Sequence, residues 1–126
     1  MRKVYGVLLG IALSATAVAG TQLSGEQIKL LVSGNTVELT SISKGSDFKV
    51  YFKADGTATS FNESKSKKGK GTWRITDAGE HCTKWGKKDE TCGQVIDMGN
   101  GTYTRMFEGS PRATWNKVSP GNPFNL

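Results

Sequence analysis

The stretch FKVYFKADGTATSFN, residues 48–62, decides the fold class of this chain. Phe48, Val50 and Phe52 alternate with residues that can face solvent, and this period of two predicts a β-strand with one buried face. Asp55-Gly56 supplies the positive φ angles that a tight hairpin turn requires. Residues 57–62 then return as the partner strand. The stretch therefore predicts an antiparallel β-hairpin.

The same period and similar turn signals continue on both sides of this hairpin. They predict further strands over residues 36–42, 71–76, 81–85, 91–96, 102–107 and 113–118. Short strands at regular spacing are typical of a β-sandwich or barrel. No helical crossover separates them, which disfavours a parallel α/β sheet. We predict an all-β fold: an antiparallel meander of about eight strands, barrel-like and lipocalin-like in architecture, with an open or half-rolled sheet as the alternative.

A short N-terminal segment precedes this β domain. Met1-Arg2-Lys3 is basic, residues 4–18 carry no charge, and Ala17-Val18-Ala19 matches an A-x-A cleavage site. These are the three parts of a secretory signal peptide, and an apolar stretch of about 15 residues is shorter than the roughly 20 that span a bilayer. We expect a signal peptide over residues 1–19, a single domain over residues 20–126, periplasmic or secreted localisation, and no membrane span after cleavage.

Residues 24–33 are predicted to form one short helix at the start of the domain. Ser24 can cap it, Gln27 stands three residues later as in a capping box, and Gly34 is a suitable stop. The tail of residues 119–126 contains two prolines, so we expect it to be coil.

The two cysteines of the chain predict a disulfide. Cys82 and Cys92 are the only pair available, and an exported chain with an even number of cysteines is expected to oxidise them. The bond would cross-link the two strands of the hairpin of residues 81–96. Pairing these two residues across the hairpin also places His81 opposite Gly93.

His81 is the only histidine and shares a predicted strand face with Trp85. It could be a pH-sensitive ligand contact, although a packed or surface histidine is commoner. One histidine without clustered ligands is poor support for zinc or haem. We therefore expect no metal and no cofactor.

Positive charge is concentrated in two segments. The chain has 17 Lys and Arg against 11 Asp and Glu, a net charge of +6. One cluster lies on a predicted loop after Asn62 and the other lies on or near the disulfide hairpin: Lys65, Lys67, Lys68 and Lys70, and Lys84, Lys87 and Lys88. As neighbours, they would attract phosphate, nucleic acid or acidic polysaccharide. A run of lysines without arginine favours a loop that is only solvated, because a lysine ammonium is a point charge and cannot bind a phosphate or carboxylate through two hydrogen bonds as arginine does. A nucleic-acid partner is therefore disfavoured.

Aromatic residues on different predicted strands have two interpretations. They could line a pocket for a sugar ring or a lipid, or they could form the core of a small β domain, which is the commoner outcome. The candidates are Trp73, Trp85, Tyr103 and Trp115.

Catalytic motifs do not point to an enzyme. The sequence has no G-x-S-x-G, no H-E-x-x-H and no P-loop spacing, and its 11 carboxylates are scattered. We expect no enzymatic activity, with a hydrolase as a remote alternative.

The order of short motifs resembles a family of small exported bacterial β-domain proteins classed only as a domain of unknown function. The shared motifs are residues 23–28, Gly34-Asn35-Thr36, residues 52–56, Gly71-Thr72-Trp73, the cysteine pair and Gly121-Asn122-Pro123. The resemblance implies a secreted or periplasmic β domain and implies no activity. The lysine run over residues 65–70 does not belong to the pattern.

Together these observations favour an exported, monomeric, non-enzymatic binding protein of the cell envelope or periplasm. Its expected ligand is a small molecule, or an anionic or glycan molecule such as an acidic polysaccharide, held by a barrel mouth or by the basic loops. The alternative is a protein–protein interaction module, such as an inhibitor or envelope accessory factor. A cavity would favour ligand binding, whereas a filled core with an exposed apolar patch at the loop tips would favour the module.

Overall fold

A computed structural model describes residues 20–126, and the predicted signal peptide lies outside the described residues. The described chain contains one helix and ten β-strands, and the all-β prediction is confirmed. In chain order the elements are β1 (Thr21–Gln22), α1 (Gly25–Val32), β2 (Asn35–Ser41), β3 (Asp47–Phe52), β4 (Thr57–Asn62), β5 (Lys67–Ile75), β6 (His81–Trp85), β7 (Thr91–Gly93), β8 (Val95–Asp97), β9 (Tyr103–Phe107) and β10 (Ser110–Pro120).

All ten strands form one antiparallel sheet in the order β1-β8-β9-β10-β2-β3-β4-β5-β6-β7. The count exceeds the predicted eight because the strand expected over residues 91–96 divides into β7 and β8, and because β1 adds a short strand beside β8. The hairpin at residues 48–62 is present as predicted, with Phe52 opposite Ala58 and Phe48 opposite Asn62.

The sheet curls until the edge strand β7 comes close to β9 near the opposite edge, which makes the fold barrel-like. β7 pairs with β6 on one side, β8 pairs with β9 on the other, and only Gln94 separates β7 from β8. The Met106 amide donates to the Gln94 carbonyl at 2.8 Å. Gly93 permits this approach, because a Cβ there would lie 1.6 Å from the Met106 carbonyl oxygen.

Helix α1 covers one end of the barrel. It begins with the expected capping box, in which Ser24 Oγ accepts from the Gln27 amide and the Gln27 side chain accepts from the Ser24 amide. Its buried residues, Ile28 and Val32, join the interior apolar cluster. The helix contacts both β2 and β5, which are not neighbours in the sheet, so it crosses the opening between them.

The lysine-rich segment after Asn62 is not the loop that was predicted. β5 begins at Lys67, and Lys68 and Gly69 already pair with β4, so the loop prediction is wrong for these residues. The connection is a tight turn because Asn62 Oδ1 accepts from the amides of Ser64 and Lys65. This local turn brings the chain back early enough for the lysines to extend the hairpin.

The predicted coil tail begins two residues later than expected. Ser119 and Pro120 continue β10 and pair with Thr36 and Asn35. Proline is tolerated at this strand end because the carbonyl groups remain available for pairing. Within residues 20–126, no helix has the length and apolar character needed to cross a membrane.

Candidate functional site

A cavity of about 730 Å³ opens at the end of the barrel opposite α1. The connections β2–β3, β4–β5, β6–β7 and β9–β10 surround its mouth, because alternate connections of a meander lie at the same end. Inward-facing side chains of the strands form its apolar wall: Leu39, Phe48, Val50, Phe52, Trp85, Phe107, Ala113 and Trp115. Its size falls within the range of about 300–1,000 Å³ that is typical of small-molecule sites.

The cavity exists because one wall carries small residues. Ser60 of β4 faces Gly69 of β5 across the ladder, and both line the cavity. Gly71 follows on the same face of β5, where a Cβ would lie 2.6 Å from a ring carbon of Trp85. Trp85 therefore lies over Gly71, and the volume near Ser60 and Gly69 stays open.

Two polar side chains are buried at the base of the cavity. His81 is 2% exposed and Arg105 is 5% exposed, and both line the cavity. Arg105 Nε donates to His81 Nδ1 at 3.3 Å. Its two other nitrogens donate to backbone carbonyls, Nη1 to Met106 at 3.0 Å and Nη2 to Thr91 at 2.8 Å.

The guanidinium of Arg105 has no carboxylate partner among residues 20–126. The ion pairs of this part of the chain are Lys49–Glu63 and Arg74–Glu90. Burial, together with the charge of Arg112, lowers the pKa of Arg105 to about 10, and Glu80 opposes that shift. Arg105 thus remains protonated at neutral pH and carries a buried positive charge.

His81 is neutral and presents a free donor. Its Nδ1 accepts from Arg105, so the ring proton resides on Nε2, which is buried and has no hydrogen-bond partner in the described part of the chain. Burial, and then the charge of Arg105, lowers the pKa of His81 to about 3. Phe52 and Trp115 hold the ring edge-on, each with centroids 5.2 Å from it.

The disulfide fixes the strands that carry these groups. Cys82 and Cys92 are bonded and lie opposite each other on β6 and β7, which confirms the predicted pair. The neighbouring register positions pair His81 with Gly93 and Thr83 with Thr91. Because side chains alternate between faces, the bond lies on the outer face and holds these neighbours toward the cavity.

A ring of cations surrounds the mouth. Six basic residues line it, against one acidic residue, Asp89; the six are Lys44, Lys67, Lys68, Lys70, Lys88 and Arg112. The guanidinium of Arg112 lies 4.7 Å from the centroid of the Phe107 ring. The mouth is therefore positively charged, while the wall beneath it is apolar.

The structure divides the sequence-derived lysine candidates into two groups. Lys67, Lys68, Lys70 and Lys88 line the mouth, so the two basic segments do come together there. The other three do not line the cavity: Lys65, Lys84 and Lys87. Lys84 Nζ donates instead to the Gly86 carbonyl at 2.9 Å.

The four candidate aromatics are divided in the same way. Trp85 and Trp115 line the cavity. Trp73 packs in the core, where its Nε1 donates to the Lys53 carbonyl at 2.8 Å. Tyr103 packs against Trp115, with centroids 6.4 Å apart, and does not line the cavity.

Arg105 and Arg112 were not identified from the sequence, although a signal for Arg105 was present. Tyr103, Arg105 and Phe107 occupy alternate positions of one strand, so period two places Arg105 on the same face as two aromatic residues. A charged residue on an inward-facing row is unusual and marks a site that needs explanation.

The cysteine pair does not form a metal site. Cys82, Glu90 and Cys92 offer ligand atoms within 4.8 Å of one another. Both sulfurs, however, are consumed in the disulfide, and Glu90 accepts two hydrogen bonds from Arg74, at 2.8 and 2.9 Å.

No family model matches this sequence, and no curated protein is significantly similar to it.

Proposed function

We propose that this protein is a non-enzymatic binding protein whose barrel interior holds a small anionic ligand. The observation that carries the proposal is the cavity itself, with the buried cation Arg105 at its base and a basic mouth above apolar walls. Burying a charge without a partner is costly, so buried charges are normally paired. A ligand anion would supply the partner that the described chain does not.

The chemistry of the cavity supports binding over catalysis. The basic nitrogen of His81 is occupied by Arg105, and a pKa of about 3 keeps the ring neutral near pH 7. A general base needs a pKa near the working pH and a free lone pair. His81 has neither, and the acidic side chain that lines the cavity, Asp89, lies at the mouth.

We further propose that the protein works in the periplasm or outside the cell, as a monomer. The N-terminal pattern of residues 1–19 and the disulfide support an oxidising compartment. A binding protein of this kind would carry its ligand through, or capture it from, the cell envelope.

The protein–protein interaction module is less well supported. That alternative needs a filled core and one exposed apolar patch, whereas the barrel contains an open cavity. The large exposed apolar residues of the described chain lie on three separate elements: Leu30 on α1, Ile42 after β2, and Phe124 in the tail.

A cavity-blocking variant tests the proposal. Ser60→Phe places a large ring in the open volume, whereas Thr59→Phe places the same ring on the other face of β4. Anilinonaphthalene sulfonate, an aromatic anion that fluoresces in apolar sites, serves as the probe. We expect saturable binding to the wild type and to Thr59→Phe, and none to Ser60→Phe.

Two results would contradict the proposal. One is equal binding to both variants, which would place the probe outside the cavity. The other is no saturable binding to the wild type. An unfolding transition at the wild-type temperature shows that each variant is folded. The double variant Lys68→Gln with Lys70→Gln is a second control. It distinguishes binding of the probe inside the cavity from binding of an anion at the mouth alone.

A further inference from the structure

We propose that Arg105 is a carboxylate-binding residue at the base of the cavity, held in position by its hydrogen bond to His81. The ligand we infer is an amphiphilic monocarboxylate that enters with its carboxylate inward and its apolar body toward the mouth. This inference rests on the proposed function and specifies both the ligand class and its orientation.

Some N–H groups of Arg105, at the base of the cavity, have no hydrogen-bond acceptor in the described part of the chain. A guanidinium has five N–H groups. Three of those of Arg105 donate, to His81, Met106 and Thr91, and the next contact, from Nη2 to the Thr91 hydroxyl, is long at 3.5 Å. The remaining Nη hydrogens are available to an incoming oxygen atom.

His81 positions the Arg105 side chain. The bond from Arg105 Nε engages Nδ1 of the buried ring, and Nε2–H, on the far side of that ring, has no partner in the described part of the chain. The bonds to His81, Met106 and Thr91 hold the guanidinium from three sides. A ligand carboxylate that accepted from the remaining Nη hydrogens would pair the Arg105 charge, which is costly to bury alone.

The charge at the base matches a single negative charge. Arg105 contributes one positive charge and His81 contributes none, since burial keeps it neutral. A carboxylate balances this charge and has the planar two-oxygen geometry that guanidinium binds well. A phosphate dianion would leave an uncompensated negative charge in the same buried space.

The walls above the base define the rest of the ligand. Leu39, Phe48, Val50, Phe52 and Trp115 surround the space between Arg105 and the mouth. An apolar or aromatic body fills this space with favourable loss of water-exposed surface. The reverse orientation would place hydrocarbon against Arg105 and leave its charge unpaired, which is strongly disfavoured.

The mouth lysines act differently in this arrangement. They are solvated and attract anions over a distance, so they raise the association rate in a salt-dependent way. They do not select carboxylate over a neutral group of the same shape once the ligand is bound. This separates their role from that of Arg105.

The test compares naphthaleneacetate with naphthaleneacetamide, which share a shape and differ in charge. Calorimetry on the wild type is expected to show tighter binding of the acid by about ten- to a hundredfold, the effect of hydrogen bonds to a charged group. Arg105→Gln should abolish that preference, and Lys68→Gln should leave it. The comparison on the wild type does not depend on whether any variant folds.

Histidine nitrogen NMR provides an independent readout. His81 is the only histidine in the chain, so its ring signals report this site alone. The acid is expected to shift the Nδ1 signal as its carboxylate pairs with Arg105, which donates to that nitrogen, and the amide is expected to shift it less.

Three outcomes would overturn this inference. If acid and amide bound equally and Ser60→Phe blocked both, the result would support a binding cavity but exclude a carboxylate site. A preference lost in Lys68→Gln and retained in Arg105→Gln would place the carboxylate at the mouth. Failure of both compounds to bind would exclude the assigned ligand class, while cavity-specific binding of anilinonaphthalene sulfonate would still support the proposed function.

Discussion

Arg105 Nε donates to Nδ1 of His81 at 3.3 Å, and this bond joins a buried charge to a buried neutral ring. Arg105 belongs to β9 and His81 to β6, and the two residues are 24 positions apart in the sequence. Neither has a carboxylate partner among residues 20–126. The pair is thus an interior polar group that the described chain leaves incompletely satisfied, at the base of an open cavity.

The first prediction concerns the stability of the protein in mild acid. His81 has a pKa of about 3 in the folded protein, against about 6.5 when unfolded, so the unfolded chain gains a proton first as the pH falls. The free energy of unfolding should fall by about 1.4 kcal/mol per pH unit below about pH 6. Urea unfolding between about pH 7 and pH 4.5 measures this slope.

The control for that slope is His81→Gln, which keeps an acceptor for Arg105 and does not titrate. Because His81 is the only histidine, the variant should show almost no slope between about pH 7 and pH 5, above the range in which carboxyl groups titrate. An unchanged slope in the variant would show that His81 is not buried and neutral.

The second prediction concerns the disulfide. Replacing Cys82 and Cys92 together by serine should lower the free energy of unfolding by about 2–3 kcal/mol, the chain-entropy value for a loop of this length. Probe affinity should also fall, because the neighbours His81 and Thr91 would be held less firmly toward the cavity. Chemical denaturation and probe titration measure the two effects.

A matched comparison is Arg74→Gln, which removes the exposed ion pair between Arg74 of β5 and Glu90, the residue before β7. Exposed ion pairs contribute little, so both stability and affinity should stay close to those of the wild type. Equal losses in the two variants would argue against a specific role for the disulfide.

The third prediction tests the closure of the sheet. Gly93→Ala should destabilise the protein by about 3 kcal/mol or more, because the added Cβ would overlap the Met106 carbonyl and force β7 away from β9. Gln94→Ala, next in the chain with an exposed side chain, should have almost no effect. A wild-type transition temperature for Gly93→Ala would show that β7 and β9 do not approach each other in this way.

The fourth prediction concerns the mouth lysines. Lys68→Gln with Lys70→Gln should lower the association rate of anilinonaphthalene sulfonate and weaken its dependence on salt, because both residues border the entrance and their charges act over several ångströms. Stopped-flow fluorescence at two salt concentrations measures the rate. Lys29→Gln on α1, at the far end of the barrel, removes a lysine charge away from the mouth and should leave the rate unchanged.

Local patterns predicted most of the fold. The alternation around Asp55-Gly56 predicted β3 and β4, the Ser24 and Gln27 spacing predicted the start of α1, and the cysteine pair predicted the register of β6 with β7. Each of these depends on residues close together in sequence, where a turn or a cap decides the structure.

The sequence predictions were wrong where the amino-acid composition of a segment was weighted above its two-residue alternation. Its composition predicts a loop for the lysine run, yet Lys68 and Lys70 alternate with Gly69 and Gly71, which is a strand pattern with small residues facing inward. The expectation that charged residues face solvent likewise concealed Arg105. The cavity itself could not be predicted, because its volume depends on how distant strands pack around Ser60 and Gly69.

Native mass spectrometry of the protein, exported from its full-length chain and purified gently, checks the claim that the cavity holds a monocarboxylate. We expect one reproducible bound mass per chain, that of a monocarboxylate, which is released on unfolding. This mass should be retained by Thr59→Phe and lost from Ser60→Phe, which blocks the cavity. A bound mass that persists in Ser60→Phe, or a chain that carries no bound mass and gains none with naphthaleneacetate, would contradict the claim.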